Sequence, residues 1–271
     1  MRNSNRYYVR PIFSKIKTKD SLFLGSSKLF FNEIELITRG KTKTRSKFLK
    51  INEIKYLEPD IQRDINKRIS NITKKRKKLG KFNFERSLVM GILNVTPDSF
   101  FDGGKYLLHD NAIEQFKKLI KEGADIIDIG GESTRPGSKE ITVNEEISRI
   151  IPIISQIRKK YKKEFISVDT RKSHVMKEAC KFNINLINDV SGLRFDKNSK
   201  KFLNSNKIPF VLMHSISTPE KMQKNIKYKD VLLDIYDFFE KQISLCEKNG
   251  ISKSRIIIAV SYTHLRAHET G

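Results

Sequence analysis

The chain predicts an α/β fold built on a parallel sheet, of the TIM (β/α)8 type, preceded by a small basic α+β extension. Three observations carry this reading. Six short apolar runs are separated by stretches of helical periodicity. The runs are continuously apolar rather than alternating. Five of the six end in Asn, Asp or another polar group. Short strands alternating with helices give a parallel sheet, and unbroken apolar runs mark strands buried on both faces.

The extension covers residues 1–85. Lys28 to Ile37 and Phe48 to Tyr56 read as strands, and Ile61, Ile65, Ile69 and Ile72 fall on one helical face. Residues 1–86 hold 24 Lys/Arg and 8 Asp/Glu, so +16 of the net charge of +23 lies there. The sharpest basic run is Lys74-Lys75-Arg76-Lys77-Lys78. Such a run is formally a nucleic-acid or anionic-surface signal. No interleaved aromatics or nucleic-acid module accompany it, and Lys, Ile and Asn are abundant throughout, as an AT-rich genome would produce. A basic binding protein is therefore disfavoured, and a nucleic-acid partner is not expected.

The barrel segment covers residues 86–258. The run Leu88 to Leu93 ends at Asn94 and opens into Val95-Thr96-Pro97-Asp98-Ser99-Phe100-Phe101-Asp102-Gly103-Gly104. A helix follows, with Ala112, Ile113, Phe116, Leu119 and Ile120 on one stripe and Gly123 as its cap. Ile126 to Ile129 contains Asp128 and empties into Gly130-Gly131-Glu132-Ser133-Thr134-Arg135-Pro136-Gly137. Thr142 with Glu145 predicts a capping box before Ile147, Ile150, Ile154 and Ile157, and Pro152 predicts a kink. Phe165 to Val168 ends at Asp169-Thr170, Ile184 to Ile187 at Asn188-Asp189, and Pro209 to Met213 at His214. Leu232, Ile235, Phe239, Ile243 and Cys246 form a further stripe, stopped by Gly250, before the sixth run, Arg255 to Val260. In a TIM barrel the carboxyl ends of the strands carry the chemistry, so polar residues at successive ends point to one shared pocket.

These residues resemble dihydropteroate synthase, a TIM barrel of folate biosynthesis. The resemblance rests on Gly91 to Phe100, Gly130 to Gly137, Ser167-Val168-Asp169-Thr170, Ile187-Asn188-Asp189-Val190, Val211-Leu212-Met213-His214 and Thr218-Pro219. It covers roughly residues 86–258. It implies condensation of 6-hydroxymethyl-7,8-dihydropterin pyrophosphate with 4-aminobenzoate, giving 7,8-dihydropteroate and pyrophosphate; enzymes of this kind are sulfonamide targets. By resemblance Asn94 helps to hold a Mg²⁺ that binds the pyrophosphate. Asp169 and Asn188 read the pterin, Met213 walls its slot, and Thr134 with Arg135 serve the second loop, Arg135 forking onto phosphate. Phe100, Asp102 and Pro136 belong to the two loops that in the family cover the site.

The implied chemistry is a dissociative substitution that needs no nucleophilic side chain, and no serine elbow motif is present. A methyl-transfer module of corrinoid enzymes shares the barrel and the pterin slot. The Asn94-to-Phe100 loop with Asp102-Gly103-Gly104 follows the synthase pattern instead. The family's sixth strand ends in an Asp followed by Pro-Gly, whereas this chain reads Ala259-Val260-Ser261-Tyr262. Residues 259–271 are therefore expected to be a non-native tail, with His264 and His268 no metal site. The expectation is a barrel of about six of eight strands, with little synthase activity as written. The family's homodimer contacts fall mostly in helices this chain lacks.

Composition bounds the rest. Hydrophobic residues make up 38%, enough for a core, and no run of eighteen apolar residues occurs. Met1 to Arg10 is polar and basic, unlike a signal peptide. Cys180 and Cys246 are isolated thiols, which fit a reducing cytoplasm.

Overall fold

Two sheets form, in two units spanning Met1–Ser87 and Leu88–Gly271. The computed structural model describes residues 5–96, 105–133, 138–215 and 228–260.

In the first unit, strands β1 (Arg6–Phe13), β2 (Leu22–Phe23), β3 (Phe30–Arg39) and β4 (Thr44–Lys50) form an antiparallel sheet. β3 is central: it pairs with β1 from Phe31 to Arg39, with β4 from Glu33 to Arg39, and with β2 at Phe30 and Phe31. Phe48 to Tyr56 is not one strand as its composition suggests. It is strand only to Lys50, and Ile51–Tyr56 winds into a 3₁₀ turn. Glu53 draws that turn in by accepting the Lys50 N–H at 2.8 Å, a local bond that competes with the ladder. Helix α1 (Pro59–Thr73) starts on Pro59, whose missing N–H costs nothing in a first turn. Its Ile65 and Ile69 are buried with Phe31, Ile34, Leu36 and Ile54, flanked by Ile61 and Ile72. The predicted stripe is thus the face that closes this small core.

The second unit alternates strand and helix throughout. In chain order they are β5 (Met90–Asn94), α2 (Lys105–Lys121), β6 (Ile126–Gly130), α3 (Val143–Lys160), β7 (Phe165–Asp169), α4 (Ser173–Cys180), β8 (Leu186–Asp189), α5 (Ser199–Ser205), β9 (Phe210–Met213), α6 (Val231–Lys248) and β10 (Ile256–Ala259). The six strands are all parallel and lie in sequence order, β5 to β10. Among the described residues β5 and β10 do not pair, so the barrel is not closed. Helices α4 and α5 are short, 8 and 7 residues, which is too little for a periodic stripe to stand out.

Thr142 caps α3 by accepting the Glu145 N–H at 3.2 Å. The reciprocal half of the predicted capping box is not made, because Glu145 turns along the helix to Arg149 instead. The helix also runs through Pro152 without interruption. Gly123, at φ +97°, supplies the left-handed residue that ends α2.

Residues paired across parallel strands face the same side. One face of the sheet carries Leu93, Ile129, Val168, Ile187 and Phe210 in register. All five are buried in the main core with Phe116, Ile150, Ile154 and Met176 from the helices. The opposite face carries the intervening residues, and it is there that the polar strand ends lie.

Candidate active site

Register alone assembles the site. Asn94 pairs with Gly130, Gly130 with Asp169, Asp169 with Asn188, and Asn188 with Val211. Four successive strand ends therefore present Asn94, Gly130, Asp169 and Asn188 in one row on the face opposite the helix-packed core. Met213, two residues beyond Val211, shares that face and lies half-buried beside Ala259 of β10.

Gly130 opens a notch in the row. A Cβ built there would lie 3.6 Å from Asp169 Oδ2 and 3.7 Å from Asn94 Oδ1. The two oxygens thus converge on the space above the glycine. Asn94 is exposed and Asp169 partly buried, and among the described residues neither side chain carries a hydrogen bond. A magnesium ion at this mouth would find one neutral oxygen, Asn94 Oδ1. No group of three His, Cys, Asp or Glu ligands occurs among the described residues. This donor set fits an ion that draws most of its shell from phosphate oxygens and water, not one caged by protein.

Behind the row lies a tier of buried acids. Asp128 sits on β6 in the same inward face, 5% exposed, and its Oδ2 accepts the Asn188 Nδ2–H at 2.8 Å. Burial raises the Asp128 pKa, eased by Ser167 and the Asn188 amide. Asp169 is pushed well above the usual carboxylate range, first by desolvation and then by Asp128, Glu146, Asp189 and Glu132. Each of these carboxylates makes a second negative charge nearby costly. Asp189 faces the helices. Its Oδ1 accepts both the N–H and the hydroxyl of Ser191, yet burial lifts its pKa to about 6.

A buried ion network ties the site's backing together. Glu132, just past β6, meets Arg171 at 2.9 and 3.2 Å and Lys172 at 3.0 Å. Lys172 also reaches Glu146 of α3 at 2.7 Å. The Arg171 guanidinium lies 3.9 Å over the Phe195 ring. Burial works against the Glu132 charge, but Arg171, the Ile141 N–H and Lys172 together hold its pKa below the ordinary value. The segment that follows Asp169 is thereby fixed to the start of the β6–α3 connection, to α3 and to the β8–α5 connection.

Of the residues singled out from sequence, Asn94, Asp169, Asn188 and Met213 come together on one face. Phe100, Asp102, Thr134, Arg135 and Pro136 lie outside the described residues, as do Thr218 and Pro219. Asp128, Glu132, Glu146, Arg171 and Lys172 were given no role by sequence reasoning. The signal for Asp128 was present: a carboxylate inside an otherwise apolar buried strand needs a partner. Glu146 and Lys172, from separate elements, left no such mark.

Comparison with known proteins agrees with the geometry. A family model described as pterin binding enzyme matches residues 90–264, more than half of the chain. Dihydropteroate synthase of Escherichia coli K12 is 41% identical over 170 residues, covering 63% of this chain and 60% of that protein. The Yersinia pestis dihydropteroate synthase, solved as a sulfonamide drug complex, is 37% identical with a TM-score of 0.60, covering 65% of this chain and 64% of that one. The Burkholderia cenocepacia dihydropteroate synthase, solved with 7,8-dihydropteroate, is 35% identical with a TM-score of 0.56, covering 65% and 59%. The chain spans about 60% of the length of the curated relatives it matches. Motifs, register and family match converge, and the chain belongs to the pterin-binding enzyme family.

Proposed function

We propose that this chain carries the pterin-binding part of a dihydropteroate synthase. Such an enzyme is a transferase of folate biosynthesis that joins 6-hydroxymethyl-7,8-dihydropterin pyrophosphate to 4-aminobenzoate. The observation that carries the reading is the row Asn94, Gly130, Asp169, Asn188, which sets a neutral oxygen, a gap, a carboxylate and an amide on one face. A flat heterocycle edged with N–H and C=O groups is complementary to a carboxylate beside an amide. Wrong rings would leave these groups unsatisfied, which makes the pair selective.

In this reading Asp169 accepts a ring N–H and adds negative potential beneath a ring that becomes cationic as the bond to pyrophosphate breaks. Asn188 holds a second edge of the ring. The amine nitrogen of aminobenzoate then forms the new C–N bond and loses a proton. Asn94 Oδ1 is the group that would help to hold Mg²⁺, and the ion would draw charge from the departing pyrophosphate. Catalysis rests on orientation and electrostatics, with no covalent intermediate on the protein. Two free thiols, Cys180 and Cys246, and the absence of a membrane-crossing helix among the described residues support a cytoplasmic setting.

The test separates two roles by calorimetry. Asp169→Ala is expected to lower bare-pterin affinity at least about 100-fold, since it deletes an ionic hydrogen-bond acceptor. Asn94→Ala is expected to leave bare-pterin affinity within about threefold, and to weaken only the pyrophosphate ester, in a Mg²⁺-dependent way. Equal losses of bare-pterin binding in the two variants would overturn the assignment.

A further inference from the structure

Resting on the pterin reading, we propose that Asp128 is a positioning residue: it fixes the Asn188 amide so that Asn188 meets the bound heterocycle with its carbonyl oxygen, as an acceptor. The two side chains lie 60 positions apart in sequence and on non-adjacent strands, β6 and β8. They meet because β7 places the small Ser167 between them on the inner face. The Asn188 Nδ2–H donates to Asp128 Oδ2 at 2.8 Å, and Asp128 is 5% exposed.

The chemistry leaves little freedom. An ionised carboxylate has only lone pairs, so it can satisfy the NH₂ end of an amide and not the C=O end. Rotating the Asn188 amide by half a turn would set two oxygens against each other in a buried space, at the cost of both partners. Asn188 therefore keeps its NH₂ toward Asp128 and offers Oδ1, with one remaining N–H, to the mouth. Asp169, the next residue in the row, is also an acceptor. The two together present an acceptor-rich edge, which selects a ligand edge carrying adjacent N–H groups. A ring that presents carbonyls there is rejected.

A second observation supports a fixed position for Asp128. Asp128 is held from two strands, since Ser167 of β7 and the Asn188 amide both hydrogen-bond to it and lower its pKa against the effect of burial. Ser167 is fully buried and adjacent to Asp128 in register. The floor below Asn188 is thus a fixed hydrogen-bonded tier that orients the amide from beneath.

The experiment has two readouts on the intact chain at pH 8. The first is the side-chain amide of Asn188 in ¹⁵N-labelled protein without ligand, assigned by its disappearance in Asn188→Ala. One Asn188 amide proton is expected to be shifted downfield and slow to exchange. Asp128→Ala should abolish both features, and Asp128→Asn, whose carbonyl can still accept, should restore them in part. The second readout is calorimetry with a bare pterin. Asp128→Ala is expected to lose about ten- to 100-fold in affinity, with the thermal midpoint held, while Asp128→Asn stays within about fivefold of the parent. An Asn188 amide indifferent to Asp128→Ala, or pterin affinity unchanged in that variant, would overturn the proposal. A parent chain that gives no pterin binding would sink the pterin reading and the recognition half with it, while the amide resonances would still decide the hydrogen bond.

Discussion

The two faces of the parallel sheet are made by alternate residues of the same short strands, and they obey opposite rules. Leu93, Ile129, Val168, Ile187 and Phe210 turn to the helices and are buried in one apolar cluster. Their neighbours Asn94, Gly130, Asp169, Asn188 and Val211 turn the other way and are mostly polar. The first face gains stability from each apolar group it removes from water. The second holds carboxylates out of water, and burial raises Asp128 and Asp169 above their ordinary pKa values, with neighbouring acids adding to the rise at Asp169. Local opposition to folding of this kind is expected where a protein is shaped for a ligand. The contrast teaches that the fold is supplied by the helix side, and that the ligand side can be altered with less structural consequence.

The hardest way to break the contrast is to put an unpaired charge on the supporting side. Lys172 is 4% exposed and Glu146 is fully buried, and they meet at 2.7 Å behind the site. Lys172→Met leaves Glu146 uncompensated and takes a partner from Glu132. The expected loss is about 3–5 kcal/mol of stability in denaturant titration. Replacing both, with Glu146→Leu added, should cost clearly less than Lys172→Met alone, because no orphan charge remains. A single-variant loss below about 1 kcal/mol would mean that water reaches the pair and that the network is not a support.

Asp189 is the exception on the helix side, and it can sharpen the contrast through pH. Its pKa rises to about 6 from the ordinary 3.8, mainly through burial. The folded chain therefore binds this proton more tightly than the unfolded chain. Between about pH 4 and pH 6 stability falls as pH rises, and above pH 6 the full cost, about 3 kcal/mol at 1.36 kcal/mol per unit, is present. Asp189→Asn keeps an oxygen to accept from Ser191 while removing the charge. It should raise stability at pH 7 and flatten the pH 4–6 slope. If the slope in the variant matches the parent, the drop belongs to Asp128 or Asp169 instead.

Legibility in the sequence followed the same division. The six strands could be read because each helix-side residue sits in an unbroken apolar run, and burial on both faces removes the usual alternation. Asn94, Asp169 and Asn188 could be read because each stands where such a run stops. Asp128 was visible but unassigned, since its partner Asn188 is 60 residues away and only the register across β7 joins them. The Glu132, Arg171, Lys172 and Glu146 network was hidden altogether. Charged residues near loop starts and in a first helical turn are the ordinary residues of exposed surface, and only packing reveals that these are buried. In the first unit the Ile61 to Ile72 stripe was plain, while the 3₁₀ turn after β4 was masked by strand-like composition.

The finest test uses two neighbouring glycines that differ in which face they serve. A methyl at Gly131 would come within 2.8 Å of Ile150 Cγ2 and 3.3 Å of the Glu146 carbonyl oxygen. That is overpacking against a helix, so Gly131→Ala should cost about 1–3 kcal/mol. At Gly130 the nearest atoms to the new methyl are Asp169 Cβ at 3.4 Å, Asp169 Oδ2 at 3.6 Å and Asn94 Oδ1 at 3.7 Å, all ordinary contacts. Gly130→Ala should therefore change stability by less than about 1 kcal/mol, and the lost backbone freedom of the unfolded chain should favour the variant. The same methyl fills the notch on which Asn94 and Asp169 converge, so it should weaken pterin binding although the fold is untouched. Thermal melts and calorimetry on the two variants read the two faces separately. A Gly130→Ala chain that is stable and still binds a pterin as the parent does would show that the notch is not where the ring rests.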